Sequence, residues 1–252
     1  MEDGMKKRLF TLFSVIVWLL VWQICAAALN EKILLPSPIT VAGRLAELVP
    51  QFDFIKSIGF TLGRILIGFF IGVTIGTALA ALSGKVRFIR TLFAPLISAM
   101  KSIPVASFTI LALIWVSSRN LSVLISVLIA IPIVYSNMLE GIDCLDPKLK
   151  TMAEVFEIPK SKRFVGIYLS QLLPYFRSAS KLAMGLCWKS GVAAEVIGIP
   201  DGSIGERLYM SKMYLETEDL FAWTLVIILL SFLCEKLFML LVGLIVRRIE
   251  RM

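Results

Sequence analysis

The chain has 252 residues, of which 58% are hydrophobic and 17% charged, with mean hydropathy +0.86 and formal net charge +8. Soluble domains carry about 25% charged residues, so an ordinary soluble enzyme is excluded, as are a disordered chain, collagen and a coiled coil. With 0 histidines, histidine zinc sites and histidine-based nucleophile triads are excluded as well.

The first element predicted in chain order is an uncharged run from Leu9 to Leu29, preceded by Lys6, Lys7 and Arg8. A helix of that length reaches roughly 31 Å, enough to span a bilayer. Its end, Cys25-Ala26-Ala27-Ala28, imitates a signal-peptidase site. A signal h-region, however, is only about 7–15 residues long, so a retained span is expected. Leu35-Pro36-Ser37-Pro38 opposes a helix. Thr40 then caps a short amphipathic piece over 41–49, which Pro50 stops. The second span covers about 58–82. Within it Gly68, Gly72 and Gly76, continued by Ala80 and Gly84, fall at i,i+4. Such a small-residue stripe lets two helix backbones approach closely. Packing within the subunit is the plainer reading, and a pore-side or crossing helix the sharper one.

The third span, about 92–116, holds Pro95, Pro104 and Lys101, so a kinked helix is expected there. Lys101-Ser102-Ile103-Pro104 is the place for local unwinding. The fourth span is the uncharged run Leu121 to Leu139, with Pro132 inside it; it forms a tight hairpin with the third. The fifth, about 172–194, starts at Pro174 and is interrupted by Lys181 and Lys189. The sixth, about 221–246, contains Glu235 and Lys236 and is followed by Arg247, Arg248 and Arg251. None of the 4 cysteines forms a CxxC pair, and three of them lie in apolar segments and read as small hydrophobes, so a disulfide framework is not expected. The reading is an all-α polytopic membrane protein, one domain over 1–252 with about six transmembrane helices.

Six spans put both termini on one side. With the termini inside, the inner loops hold 14 basic residues against 6 in the outer ones. Basic residues accumulate on the cytoplasmic side, so both termini and the loop 140–171 are expected to be cytoplasmic. This also explains the net charge without invoking nucleic acid. The loop has structure of its own. Asp146-Pro147 is a helix N-cap with proline at the first position. Leu149, Met152, Ala153 and Phe156 recur at helical spacing, and Pro159 ends the run. Lys160, Lys162 and Arg163 precede a second segment with Phe164, Ile167, Tyr168 and Leu172. A helix lying on lipid and a docking surface for a cytoplasmic partner both fit this pattern. In the second case Glu154 and Glu157 would meet basic side chains.

These residues, in this order, resemble the permease subunit of bacterial binding-protein-dependent ABC importers, in the branch that carries nitrate, taurine, aliphatic sulfonates and related small molecules. The resemblance runs from Leu35 to the end of the chain. It rests on Leu35-Pro36-Ser37-Pro38 with Val41, on Thr61-Leu62-Gly63-Arg64 followed by Gly68, Gly72 and Gly76, and on Ser102-Ile103-Pro104. Its centre is the cytoplasmic loop, with Asp146-Pro147, Met152-Ala153-Glu154-Val155-Phe156, Phe164, Ile167, Leu169 and Leu173-Pro174. Gly185, Trp188, Ala193-Ala194-Glu195 and Gly205 follow. Two departures stand out: Glu157 occupies the usual glycine position, and Ser170 a common proline.

The resemblance implies a type I importer permease acting as a homodimer in the bacterial inner or plasma membrane. Its partners would be cytoplasmic ABC ATPase subunits, an extracellular or periplasmic substrate-binding protein and the lipid bilayer, with no nucleic acid. The coupling residues would be Pro147, Leu149, Met152, Ala153, Glu154, Phe156 and Glu157. This chain has no phosphate-binding GxxxxGK[ST] loop, so ATP-Mg belongs to the partner. No catalytic residue, cofactor or metal is expected on this chain. Pathway candidates are Lys101, Lys189, Trp188 and Glu195, since charges inside spans are costly and often functional; a Lys189–Glu195 ion pair is the plainer reading of that pair. The alternative is a secondary transporter or small channel, which needs no docking helix. A membrane enzyme or an assembly factor ranks lower, for lack of clustered polar groups at one depth.

Overall fold

The computed structural model describes residues 2–29, 31, 33–159 and 163–249. Lys160, Lys162 and Arg251 lie outside the described residues. All elements are helical: α1 (Glu2–Leu29), α2 (Pro38–Leu48), α3 (Phe52–Lys85), α4 (Arg87–Ser102), α5 (Val105–Ala112), α6 (Ser118–Asp143), α7 (Pro147–Val155), a π-helical turn (Phe164–Leu169), α8 (Ser170–Gly198), α9 (Ile204–Met213) and α10 (Thr217–Ile249).

Helices α3, α6 and α8 form the core. Ile65, Phe69 and Val73 meet Ala130 and Val134 of α6 and Ala183, Met184, Cys187 and Trp188 of α8. The small-residue stripe of α3 faces α6. A Cβ on Gly68 would come within 2.5 Å of the Val123 carbonyl oxygen, and one on Gly72 within 2.5 Å of the Ala130 Cβ. One on Gly76 would reach the Ile131 carbonyl oxygen at 3.0 Å. The backbones of α3 and α6 are therefore in contact, which larger residues would prevent.

The bundle has two distinct ends. At one, Gly84 of α3 abuts Ile142 of α6, Gly141 abuts Tyr175 of α8, and Arg90 of α4 makes a forked pair with Asp143 at 2.9 and 2.7 Å. This end carries α7. At the other, Gly198 of α8 lies on Leu121 and Ser118 of α6, and Arg64 of α3 donates to the Arg119 carbonyl and to Asn120 Oδ1. This end carries α2 and α9. There Arg44 of α2 forks onto Asp219 of α10 and also reaches Glu47 at 2.8 Å. Hydrogen bonding to Asp219, then to Glu47, holds the Arg44 guanidinium's pKa above its ordinary value. Phe54 stacks on Trp223 with ring centroids 4.9 Å apart.

Among the described residues four helices are long and apolar enough to cross a bilayer: Leu9–Leu29, Phe52–Lys85, Ser118–Asp143 and Thr217–Leu244. The pair α4 and α5 passes the same test jointly but bends by 101°. The interruption expected within 92–116 is thus a sharp break rather than a gentle kink. Pro95 is accommodated inside α4, and the break falls at Ile103–Pro104, where Pro104 has no N–H to continue the helical ladder. Helix α8, at 29 residues, is long enough to cross, although Arg177, Lys181, Lys189 and Glu195 lower its apolarity. With these, the architecture is that of about six transmembrane segments. Leu9, Phe10, Trp18, Phe232 and Leu240 stand exposed, as lipid-facing side chains do. Helix α1 joins the body through Trp22, which donates to the Pro36 carbonyl at 3.1 Å and packs on Phe221. All four cysteines are free.

Candidate functional site

Two groupings of functional side chains emerge, one at each end of the bundle. The first is the α7 segment. Asp146 caps α7 by accepting the Lys148 N–H at 2.8 Å, with Pro147 in the first turn. The Asp146 N–H donates to Gln171 Oε1 at 3.1 Å, tying the start of α7 to α8. At the other end the Glu157 N–H bonds the Glu154 carbonyl at 3.2 Å, and the Ile158 N–H bonds the Ala153 carbonyl at 3.0 Å. That pair of bonds is a Schellman cap, which requires a left-handed residue between them. Glu157 takes that conformation, with φ +49°. A side chain there costs of order 1 kcal/mol, a cost that glycine would not carry.

The segment turns Ala153 inward, 1% exposed, and leaves Met152, Val155 and Phe156 outside at 42%, 73% and 72%. Leu149 is half-buried. Pro147, Lys148, Thr151, Met152, Val155 and Phe156 line a shallow, mainly apolar groove. Glu154 is not free: Arg163 Nη2 donates to its Oε1 at 2.9 Å and to the Tyr168 hydroxyl at 3.3 Å. Those two hydrogen bonds, Glu154 first, raise the Arg163 pKa. The chain then enters α8 through the π-helical turn Phe164–Leu169, an insertion of the kind found where helices carry function.

The second grouping is buried. Glu195 and Trp188 of α8 are 0% and 1% exposed. Trp188 belongs to the core cluster with Ile65 and Phe69, so within one chain it is packing rather than lining. Glu195 Oε2 accepts the Thr61 hydroxyl at 2.7 Å and the Gly205 N–H at 3.4 Å. The Thr61 oxygen accepts the Ile204 N–H at 3.0 Å. The expected Lys189–Glu195 pair does not form, because the two side chains leave α8 on different faces. Lys189 is exposed, in line with Leu182, Leu186 and Ala193 along α8. Lys101 is exposed too, at the last turn of α4 beside the bend. The structure therefore separates the four pathway candidates: Lys101 and Lys189 lie on open faces, while Trp188 and Glu195 lie inside.

Several partnerships escaped the sequence reading. Lys181 pairs with Glu235 of α10 at 3.2 Å, and Arg207 of α9 approaches Asp53 at 3.5 Å. The Glu195 partner Thr61 lies 134 residues away in sequence. The only available signal was a polar residue recurring in an apolar segment, which names a candidate but not its partner. Among the described residues no group of three or more His, Cys, Asp or Glu converges on a point where a metal would sit.

Residues 68–251 match the family described as the binding-protein-dependent transport system inner membrane component. The chain belongs to that family and is a permease subunit of an ABC importer, an integral membrane transport protein. A Bacillus subtilis protein described as an aliphatic sulfonates transport permease is 24% identical, over 80% of this chain and 74% of its own. A nitrate import permease of a Synechocystis species is 26% identical, over 80% and 75%. A bicarbonate transport system permease of Synechococcus elongatus is 24% identical, over 84% and 82%.

Proposed function

We propose that this permease imports a small anion by alternating access, working as one of two identical copies. A separate cytoplasmic ATPase that binds ATP-Mg would dock on α7, and an external binding protein would deliver the cargo. The observation that carries the anion reading is the exposure of Lys101 beside the bend and of Lys189 in line with the apolar Leu182, Leu186 and Ala193. A charge in a span is costly unless it meets water, a partner or cargo. The sulfonate, nitrate and bicarbonate in the relatives' descriptions share one negative charge and small size. The face of α8 with Leu182, Leu186, Lys189 and Ala193 is where a second copy would close a central path.

For the ATPase, the support is the α7 segment: a helix capped at both ends, tied to α8 through Gln171, with Val155 and Phe156 held out. Pro147, Leu149, Met152, Ala153, Glu154, Phe156 and Glu157 make up this docking unit. Ala153 serves from inside, and Glu154 braces the unit through Arg163. Both termini and the α7 end would face the cytoplasm. The test is uptake by proteoliposomes holding permease, ATPase and binding protein, with labelled nitrate, bicarbonate and an alkyl sulfonate as probes. Uptake of one of them, lost in Lys189→Gln, supports the reading; wild-type uptake in both Lys101→Gln and Lys189→Gln removes the lysines from the path.

A further inference from the structure

Glu195 is a wholly buried carboxylate in a membrane protein, and no part of the transport reading above uses it. Burial of such a group without compensation is prohibitive. Compensation here comes from no ion pair among the described residues but from the start of a helix. Helix α9 spans ten residues, and its first two N–H groups are turned onto Glu195. Gly205 donates directly, and Ile204 donates to the Thr61 oxygen, whose hydroxyl in turn donates a hydrogen bond to the carboxylate. First-turn amides have no partner within their own helix, and the helix dipole favours negative charge there.

The remaining cap of α9 is local. Ser203 Oγ accepts the Glu206 N–H at 2.9 Å, and Glu206 Oε2 accepts the Gly202 N–H at 2.6 Å. One end of one short helix thus has two caps, a local one that any surface helix has and a remote one drawn from α3 and α8. The remote cap demands close approach. A Cβ on Gly205 would collide with the Cβ and main chain of Glu195, so only glycine fits. Ile204 is 0% exposed, and the chain reaches this position by a turn with left-handed Ile199 and Gly202, φ +46° and +79°. Helix α9 also carries Arg207 toward Asp53, forming one wall of a charged cavity of about 210 Å³. Arg44 and Asp219 line the same cavity.

We infer that Glu195 is a positioning residue that clamps α9 to the transmembrane core through Thr61 and the α9 amides, and that the clamp holds the walls of this end cavity in register for transport. The mechanical half stands on the geometry alone. The transport half rests on the importer reading, with this end facing the cargo.

The test is amide hydrogen exchange of the full-length permease in lipid nanodiscs, followed by uptake with the complete importer in proteoliposomes. Losing one buried hydrogen-bonded link should speed exchange of the first turn of α9 by about tenfold in Thr61→Val and more in Glu195→Ala, with α3 and α6 unchanged. Glu195→Gln keeps an acceptor oxygen and should stay within about threefold of wild type. Uptake of nitrate, bicarbonate or an alkyl sulfonate should fall with α9 protection and recover in the glutamine variant. Unchanged α9 exchange in Thr61→Val, which is close to isosteric and remains informative if Glu195→Ala does not accumulate, overturns the clamp. A glutamine variant as loose as the alanine one overturns its hydrogen-bond basis. Loosened α9 with undiminished uptake overturns the transport role. If the wild-type importer takes up none of the three anions, the anion reading fails while the exchange result still decides the clamp.

Discussion

The two ends of the bundle treat polarity in opposite ways. At the α9 end the most polar side chain of the core, Glu195, is buried and met by donors from α3 and α9. At the α7 end apolar side chains, Val155 and Phe156, are held in the open by a helix braced at both ends. Each arrangement reverses the usual preference, and each needs a reason. One oxygen of the buried carboxylate, Oε2, takes its donors from within the chain, and the other, Oε1, has no hydrogen-bond partner among the described residues. The exposed phenylalanine has no complement within the described residues. Holding it rigidly in water is unfavourable by about 25 cal/mol per Å² of apolar surface, which a docked partner would recover. The contrast teaches that the chain meets its buried charge with donors of its own, whereas the apolar side chains of the α7 end would be covered only by the docking proposed above.

The largest expected effect comes from breaking the frame that both ends share. Gly68→Leu would push a side chain into the Val123 carbonyl and Ser126. Overpacking of this kind costs about 1–3 kcal/mol or more where backbone must move. Size-exclusion profiles and thermal unfolding in mild detergent should show lost folded protein, with both ends affected alike. A wild-type profile would mean that α3 and α6 have room to separate.

Next comes Phe156→Asp, which touches one end only. The variant should fold and unfold as wild type, because the side chain is 72% exposed within its own subunit, while co-purification of the ATPase should fall by about tenfold or more, as for a buried aromatic anchor. Undiminished ATPase recovery would show that the exposed apolar surface serves something else. Lys150→Cys in intact cells should resist a membrane-impermeant thiol reagent. Labelling from outside would turn the molecule over and make the α7 end external.

A smaller effect is expected from Arg163→Ala. It removes the donor to Glu154 and Tyr168 and leaves α7 braced only through Gln171 and its own caps. Exchange of α7 amides should quicken by a factor of about 2–5, as befits an exposed pair, and α9 exchange should stay as it is. The smallest effect carries the opposite sign. Glu157→Gly relieves a left-handed side chain and should stabilise the α7 cap by up to about 1 kcal/mol, since glycine adopts that conformation freely. Slower α7 exchange would report it. Faster exchange would mean that the Glu157 side chain holds the loop by a contact stronger than the strain it brings.

Much of this molecule was legible in order along the chain. Uncharged runs mark α1 and α6 because a helix of about 20 apolar residues has one stable environment, the bilayer. Asp146-Pro147 marks the start of α7 because a side-chain acceptor followed by a residue with no N–H suits a helix's first turn. The i,i+4 glycines mark a close approach, since spacing alone puts them on one face. The glycine-like place of Glu157 was also visible, and its φ of +49° gives it a physical meaning.

What the chain order left open was which partner each marked residue meets. Lys101 and Pro104 signalled a disturbance in the third span, but not whether the helix would bend slightly or turn by 101°, because packing on either side of a broken ladder sets that angle. Lys189 and Glu195 looked like neighbours six residues apart. Helical geometry sends them to different faces, and one oxygen of Glu195 is met instead by a hydroxyl 134 residues away and by the Gly205 amide of α9. Sequence fixes periodicity, and therefore faces, spans and caps, because those follow from the local geometry of the backbone. The choice among possible partners for a buried charge belongs to tertiary structure, because it depends on which distant donors the packing of α3, α6 and α8 brings within 3 Å or so of a carboxylate that water cannot reach.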